Sequence, residues 1–140
     1  MENLGILLYV PYRTLEIRVH QALAAAGYDD ITPSQGRVFA NVSPQGSRLT
    51  DLAARAQVTK QTASVLVDQL ERAGYVERTP DPTDGRARLI RVAKRGAASV
   101  PVVRREIAAV EKEWADRLGA AKMARLRHLL AELRDASSGH

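Results

Sequence analysis

The sequence predicts a mainly helical protein with one small β-hairpin, and three observations support this fold class. Apolar residues recur at steps of three or four along most of the chain, as they do on amphipathic helices. Residues 75–92 instead alternate around a turn rich in Pro and Gly, which is typical of a hairpin. With one Trp, one Phe and four Tyr, the core depends on Leu, Val, Ile and Ala. A length of 140 residues fits a single domain over residues 1–140.

The first predicted helix runs from Leu4 to Ala26 and ends at Gly27, a residue type that commonly terminates helices. Pro11 interrupts the helical pattern, which predicts either a kink or a separate leading turn at that point. The apolar stripe that defines this helix consists of Leu4, Leu8, Tyr12, Leu15, Val19, Leu23 and Ala26.

The second and third helices are predicted to be short. Thr32 can cap the second helix, Pro33 fits its first position and Gln35 completes a capping box. We predict that this helix continues to about Val42, before a loop that contains Pro and Gly. A third helix is predicted over residues 51–56.

A fourth helix follows the third so closely that the two form a helix-turn-helix unit. Thr59 is suited to cap the fourth helix, which reaches about Ala73 and ends at Gly74. Residues 56–58 form the turn between the two helices. The buried face of the fourth helix is predicted to contain Ala63, Leu66, Val67 and Leu70.

The remaining chain is predicted to form a hairpin and then two helices. The hairpin has strands at 75–79 and 86–92, and Pro80 and Pro82 in its turn are expected to keep the tip open and protect the edge. Residues 97–136 are helical, with a break at Gly119. Their two apolar stripes are Val100, Val103, Ile107, Val110, Trp114 and Leu118, and Met123, Leu126, Leu129, Leu130 and Leu133.

The start of the fourth helix carries the pattern of a DNA-reading element. The second helix of a helix-turn-helix unit enters the major groove with its N-terminal residues. Gln61 can pair with adenine, and Lys60 can reach guanine or phosphate. An ordinary capped, solvated helix start is the alternative interpretation of this run. The predicted major-groove residues are Thr59, Lys60, Gln61, Thr62 and Ser64.

Basic charge is concentrated in the hairpin beside this unit. Residues 78–95 contain six Lys or Arg and two Asp, a net charge of +4 within a chain whose total is +5. Arg86 and Arg88 lie near the tip, and a basic hairpin can follow the DNA backbone with an Arg in the minor groove. A charged edge that only prevents aggregation is the alternative. The combination favours a winged helix-turn-helix DNA-binding region over residues 32–92.

Two stretches of the sequence resemble the MarR family of bacterial regulators. Asp81-Pro82-Thr83-Asp84-Gly85-Arg86, followed by Ile90-x-Val92 and Gly96, resembles the wing of that family. Leu52-Ala53 through Thr62, and then Leu66-x-x-x-Leu70-x-x-x-Gly74-Tyr75-Val76, resembles its helix-turn-helix. The resemblance covers nearly the whole chain and extends to the order of the elements.

The resemblance implies a sequence-specific transcriptional regulator that binds a palindromic operator in double-stranded DNA as an obligate homodimer. It implies repression and release by a small phenolic or otherwise lipophilic anion. Helices over residues 1–27 and 97–136 would interlock the two subunits. Arg86 would be the minor-groove arginine, and Asp84 would orient the wing arginines by pairing. A winged-helix module that binds proteins without DNA is the alternative, and it would lack salt-sensitive binding to duplex DNA.

Three positions depart from the pattern of the family. Ala93 stands where a Thr or Ser usually caps the helix after the wing, which predicts a looser junction. Gln57 occupies a turn position where Gly is common, and a left-handed conformation there would cost about 1 kcal/mol. Pro101 lies inside the predicted fifth helix and predicts a kink.

Two further features of the first helix bear on partners. Its apolar start between Leu4 and Val10 has no evident partner in its own domain, which favours a homodimer. Its polar residues lie where the family binds small-molecule effectors, and Arg13 can pair with an anionic ligand. Arg13 and Glu16 also fit a solvated i, i+3 pair, which we favour. The candidate ligand-binding residues are Tyr12, Arg13, Glu16 and His20.

The composition excludes several other classes of function. The absence of Cys removes disulfides, thiolate metal sites and thiol redox sensing. The three His share no metal-ligand spacing, and no catalytic constellation or glycine-rich phosphate loop is present. We therefore expect no enzyme activity, no metal and no cofactor. No apolar run approaches 18 residues and no signal peptide is evident, so we expect no membrane association and a cytoplasmic location.

Overall fold

The computed structural model of the chain describes residues 1–137 and confirms the mainly helical fold class with one hairpin. Within those residues the chain forms six helices and a two-stranded antiparallel sheet. The elements are α1 (Leu4–Ala25), α2 (Pro33–Phe39), α3 (Leu49–Ala56), α4 (Lys60–Arg72), β1 (Val76–Asp81), β2 (Asp84–Val92), α5 (Lys94–Leu118) and α6 (Ala120–Ser137).

α1 is one continuous helix, so of the two alternatives at Pro11 the separate leading turn is wrong. A proline in a helix removes one backbone donor, and the neighbouring turns keep this helix intact. The helix ends as predicted at Gly27, which has a φ of 96°. The Tyr28 amide then donates to the Leu23 carbonyl at 2.8 Å, a hydrogen bond typical of a glycine-terminated helix.

α2 begins as predicted and ends earlier. The capping box is present, because Thr32 and Gln35 each accept a hydrogen bond from the backbone amide of the other. The helix ends at Phe39 and not near Val42. The Asn41 side chain donates to the Arg37 carbonyl at 2.7 Å, and the Asn41 amide donates to the Val38 carbonyl at 3.0 Å. The helical bond from the Asn41 amide to the Arg37 carbonyl is thus replaced, and the helix ends before the loop.

The helix-turn-helix unit consists of α3 and α4. α3 begins at Leu49, two residues before the predicted start, and its N-cap residue Arg48 makes no side-chain cap. Gln57 adopts the left-handed conformation whose cost was considered from the sequence, with φ 59° and ψ 42°. Thr59 caps α4 as predicted, and its hydroxyl accepts a hydrogen bond from the Thr62 amide at 3.0 Å.

A closed core joins α2, α3 and α4 to the hairpin. Its residues are at most 2% exposed, so little room is left between these elements. Tyr75 belongs to this core and precedes β1, although the sequence placed it inside the strand. We call this set the closed core, and it consists of Val38, Leu52, Val67, Leu70, Tyr75, Val76 and Ile90.

The hairpin is tighter at its tip than the sequence predicted. Pro80 lies inside β1 and pairs with Arg88, and Asp81 pairs with Asp84, so the expectation of an open tip is wrong. A register shift between Pro80 and Asp81 lets the proline, which has no amide donor, lie in an edge strand. Ser47 forms an additional bridge to Ile90 in β2.

The junction between the hairpin and α5 is held by the backbone. Ala93 is the N-cap residue of α5 and makes no side-chain cap, as its identity predicted. Its amide donates to the Tyr75 carbonyl at 2.9 Å, so the junction is anchored without a cap. Gly96 permits the contact, because a Cβ there would lie 2.2 Å from the Tyr75 carbonyl oxygen. α5 continues through Pro101 without a break in the helix.

The two ends of the chain leave apolar surface uncovered. The start of α1 exposes Leu4, Leu7 and Val10, and within the described residues no residue of α6 is buried. None of the helices in residues 1–137 is long and apolar enough to span a membrane. The exposed apolar residues of α6 include Leu129, Leu130 and Leu133.

Candidate nucleic-acid interface and neighbouring cavity

α4 presents two faces of different chemistry. Ala63, Val67 and Leu70 are buried, and they fix the helix against the closed core. The polar residues at its start point outward, and the hydroxyl groups of Thr59 and Thr62 lie 2.9 Å apart. Four of the five predicted major-groove residues are exposed and Ser64 is half-buried. The exposed four are Thr59, Lys60, Gln61 and Thr62.

The hairpin tip carries two arginines without ionic partners. Arg86 and Arg88 are exposed, and neither lies within salt-bridge distance of a carboxylate in the part of the chain that is described. Asp84 is exposed as well, and its side chain accepts a hydrogen bond from the backbone amide of Arg86 at 3.1 Å. The contact of Asp84 is therefore with the backbone of Arg86 and not, as the resemblance implied, with its guanidinium group.

Three other cations of the basic stretch have structural contacts. Arg78 pairs with carboxylates of α4, at 2.8 Å from Asp68 and 2.6 Å from Glu71. Arg91 donates to a hydroxyl group across the hairpin. Arg95 pairs with Asp30 at 2.8 Å and lies over the Tyr28 and Tyr75 rings. Within the described residues, the cations of this stretch that make no side-chain hydrogen bond or ion pair are Arg86 and Arg88 near the tip and Lys94 at the start of α5.

A buried carboxylate attaches the wing tip to α3, and the sequence interpretation missed it. The Asp81 side chain is 5% exposed and pairs with Arg48 at 2.7 Å. Its other oxygen accepts hydrogen bonds from the Thr83 amide at 2.9 Å and the Thr83 hydroxyl at 2.8 Å. These bonds from Thr83, together with the Arg48 guanidinium, lower the pKa of Asp81 to about 2. The Asp-Pro-Thr order is a local turn signal, but nothing local identifies Arg48.

A cavity of about 400 Å³ lies between α1, α2 and α5. Its walls are mainly apolar, and besides Ser99 five polar or charged side chains line it. Three of these were candidate ligand residues from the sequence, and Arg37 and Arg104 were not foreseen. Arg13, the fourth candidate, does not line the cavity. The polar group consists of Tyr12, Glu16, His20, Arg37 and Arg104, and the apolar walls include Leu15, Val19, Phe39, Val100, Val103 and Ile107.

Glu16 is the centre of the polar group. Its side chain is 8% exposed, so the interpretation of Glu16 as half of a solvated pair is wrong. One carboxylate oxygen accepts from Arg37 at 2.7 Å and from the Tyr12 hydroxyl at 2.9 Å. The other accepts from Arg13 at 3.0 Å. A carboxylate that loses its water needs such partners to remain charged.

The pKa directions follow from these contacts. Burial raises the pKa of Glu16, but the hydrogen bond from Tyr12 and the charges of Arg37 and Arg13 outweigh it and lower that pKa overall. Burial lowers the pKa of His20, which favours its neutral form. Glu16 is therefore an ionised group on the cavity wall, bound to cations from two helices.

Arg104 differs from Arg37 in having no such partner. It lies on α5 at the cavity and makes no salt bridge within residues 1–137. Sequence periodicity cannot identify Arg37 or Arg104 as cavity residues, since each lies on a different helix from the candidates of α1. No cluster of His, Asp and Glu in the described chain is arranged to hold a metal ion.

Comparison with known proteins supports the same fold, and part of the chain matches a family model. A family model described as MarR family matches residues 29–87. No curated protein matches the sequence. The solved structure of CouR from Rhodococcus jostii RHA1 bound to p-coumaroyl-CoA is 22% identical, with 95% of this chain and 92% of that chain covered and a TM-score of 0.76.

Two further solved structures are similar over nearly their whole length. NadR in complex with 4-hydroxyphenylacetate is 24% identical, with 96% of this chain and 94% of that chain covered and a TM-score of 0.76. The apo form of wild-type MarR from E. coli is 24% identical, with 95% and 97% covered and a TM-score of 0.69.

Proposed function

We propose that this chain, which belongs to the MarR family of winged-helix transcriptional regulators, is a repressor that binds a palindromic operator as a homodimer. We further propose that a small lipophilic or phenolic anion releases it from DNA. Its activity is binding, and no catalytic step is assigned to it.

The observation that carries the proposal is the exposed polar start of α4 beside two wing arginines that pair with no carboxylate in residues 1–137. α4 is fixed by its buried face, so its polar N-terminal residues can enter the major groove as a rigid element. Arg86 and Arg88 are free to meet phosphates or the minor groove, because no carboxylate in the described residues neutralises them. The Arg48–Asp81 pair keeps the wing tip against α3.

The proposal of a homodimer rests on the uncovered ends of the chain. Exposed apolar residues on α1 and on α6 are surface that a monomer would present to water. A second copy of the same surfaces would cover it with twofold symmetry, which matches a palindromic operator. A monomer at micromolar concentration in analytical ultracentrifugation would contradict this part of the proposal.

The proposal of an effector rests on the cavity. A volume of about 400 Å³ with apolar walls fits a small organic molecule, and Arg104 offers a charge to an anion. The ligands in the CouR and NadR structures, p-coumaroyl-CoA and 4-hydroxyphenylacetate, both carry a phenol ring. We propose a ligand of similar chemistry here, with contacts from Tyr12, Glu16 and His20.

The test of DNA binding uses fluorescence anisotropy with labelled duplexes from the DNA upstream of the protein's own reading frame. Affinity should fall steeply with salt, because each phosphate contact contributes about 0.9 to the slope of log affinity against log salt. In a dimer, Arg88→Ala should make that slope shallower by nearly 2 if Arg88 meets phosphate. Arg105→Ala, an exposed position on α5, is the matched control and should leave the slope unchanged.

A second comparison separates base reading from phosphate contact on α4. Gln61→Ala should weaken binding by about 1–3 kcal/mol per half-site and relax the preference at one base pair. Lys60→Ala should weaken binding to all sequences evenly if Lys60 meets phosphate. Absence of salt-sensitive binding to any duplex would instead support a protein-interaction module. Loss of reporter repression in an Arg86→Ala strain would test the repressor role.

A further inference from the structure

The ion pair between Glu16 and Arg37 joins two helices across one wall of the cavity. Glu16 lies on α1 and Arg37 on α2, and their charged atoms are 2.7 Å apart. Arg37 is half-exposed and its guanidinium group also donates to Ser34 at 3.2 Å. The pair lines the cavity directly, so a molecule in the cavity can reach it.

α2 also contacts the helix that we propose to read DNA. The Gln35 side chain donates to the Gln69 side chain of α4 at 2.8 Å. One turn further, Val38 is fully buried against Val67 and Leu70 of α4 in the closed core. A shift of α2 is therefore passed to α4, because close-packed contacts leave no room to absorb it.

We propose that the Glu16–Arg37 pair is the switch between the cavity and the DNA-reading helix. With the pair intact, α2 is held on α1 and α4 keeps its DNA-binding position. A carboxylate ligand competes with Glu16 for Arg37 and so releases α2. The proposal rests on the proposed function, since it takes the cavity as the effector site and α4 as the DNA-reading helix.

The exchange of partners is balanced in charge. Arg37 leaves one carboxylate for another, and Glu16 keeps its hydrogen bond from Tyr12 and its ion pair with Arg13. Neither charged group is left unpaired, which would otherwise oppose the exchange strongly. The apolar body of the ligand fills the cavity, and Arg104 is available as a second cation. The ligand thus binds the released state better than the held state, as any effector must.

The experiment compares Glu16→Gln with Arg37→Gln, because the switch predicts opposite effects on ligand binding. The probes are phenylacetate and 4-hydroxyphenylacetate, each with its neutral amide, measured by calorimetry and by thermal shift. In Glu16→Gln, Arg37 is free of its competitor, so both carboxylates should bind about fivefold tighter or more. In Arg37→Gln they should bind more weakly by a similar factor. The amides should bind weakly and respond to neither substitution.

DNA binding completes the test. The carboxylates should weaken DNA binding by the wild-type protein about fivefold or more. Both variants should bind DNA more weakly before any ligand is added, and the carboxylates should change their DNA affinity by less than about twofold. Glu106→Gln is the matched control, because Glu106 also bonds to an α1 arginine, Arg18, but does not line the cavity. It should behave as the wild type.

Three results would overturn the switch. One is equal weakening of carboxylate binding in both variants, which a purely structural Glu16 predicts. Another is full ligand control of DNA binding in Glu16→Gln. The last is failure of every carboxylate to bind the wild-type protein. Salt-sensitive DNA binding without ligand would survive all three, so failure of the switch and failure of the proposed function are distinguishable.

Discussion

α2 has a closed side and a hollow side. Towards α3, α4 and the hairpin, it packs into the closed core, whose residues are at most 2% exposed. Towards α1 and α5, it borders a cavity of about 400 Å³. The walls on both sides are built from the same residue types, mainly Val, Leu, Ile and aromatic rings.

The two sides of α2 differ in how completely the space between the elements is filled, and not in residue composition. On the closed side, strands and helices converge from four directions and fill the space between them. On the hollow side, α1, α5 and α2 surround a cavity that polar side chains line. Two of these side chains form hydrogen bonds with Glu16. The closed side holds the proposed DNA-reading elements in a fixed relation, and the hollow side is where we propose that a ligand binds. This comparison predicts where substitutions matter.

The largest effect should come from removing volume on the closed side. Leu70→Ala should lower the free energy of unfolding by about 2–5 kcal/mol, because it opens a cavity in a filled core. Val103→Ala on the cavity wall should lower it by about 1 kcal/mol or less, because Val103 already borders empty space. Urea denaturation measures both. Equal losses would show that the two sides are packed alike.

A smaller loss in the free energy of unfolding should follow from adding one methyl group between the closed side and α5. Gly96→Ala places a Cβ 2.2 Å from the Tyr75 carbonyl oxygen and 2.8 Å from the Phe39 ring, and the backbone must move. We expect a loss of about 1–3 kcal/mol. Gly85→Ala, where a Cβ meets open space, is the control. If both substitutions lowered the melting temperature equally, the close approach of Gly96 to Tyr75 would not explain the loss.

A gain in stability should come from the strained turn of the helix-turn-helix unit. Gln57→Gly removes a left-handed non-glycine residue and should stabilise the protein by up to about 1 kcal/mol. Gln57→Ala loses the same side-chain bond to the Ala54 carbonyl but keeps the strain, so it should give no gain. Chemical denaturation of the pair separates the backbone effect from the side-chain effect.

A pH-dependent effect on stability concerns the buried carboxylate of the wing. The pKa of Asp81 is about 2 in the folded protein and lies near 3.9 for an unfolded chain. The contribution of Asp81 to stability is therefore complete above the unfolded value and is lost as pH falls through about 2. Asp81→Asn should be less stable than wild type at pH 6 and should lose less stability on acidification. Parallel pH profiles for the two proteins would contradict this.

Short-range chemistry explains what the sequence predicted well. The capping box of Thr32 and Gln35, the cap at Thr59 and the helix end at Gly27 each depend on neighbours within about four residues. The left-handed conformation of Gln57, in contrast, was considered because the family resemblance places a Gly at that turn. The exposure of the candidate DNA-reading residues follows from helical periodicity, which places them opposite the buried face of α4.

Long-range contacts explain what the sequence did not predict. Arg48 and Asp81 are 33 positions apart, and Glu16 and Arg37 are 21 apart. Charge counting could not separate Arg78 and Arg95, which have carboxylate partners, from Arg86 and Arg88, which have none in the described chain. Each distinction depends on which side chains the fold brings together.

The amino-acid sequence by itself determined the order of helices and hairpin, most helix ends and the polar start of α4. These features arise from backbone preferences and hydrogen bonds between near neighbours, which can be inferred from the order of the residues along the chain. Only the tertiary structure decided that Glu16 is buried, that Asp81 anchors the wing to α3, and that a hollow lies beside α2. Burial and charge pairing depend on distance in space, and residues far apart in the chain come close together only when the chain folds.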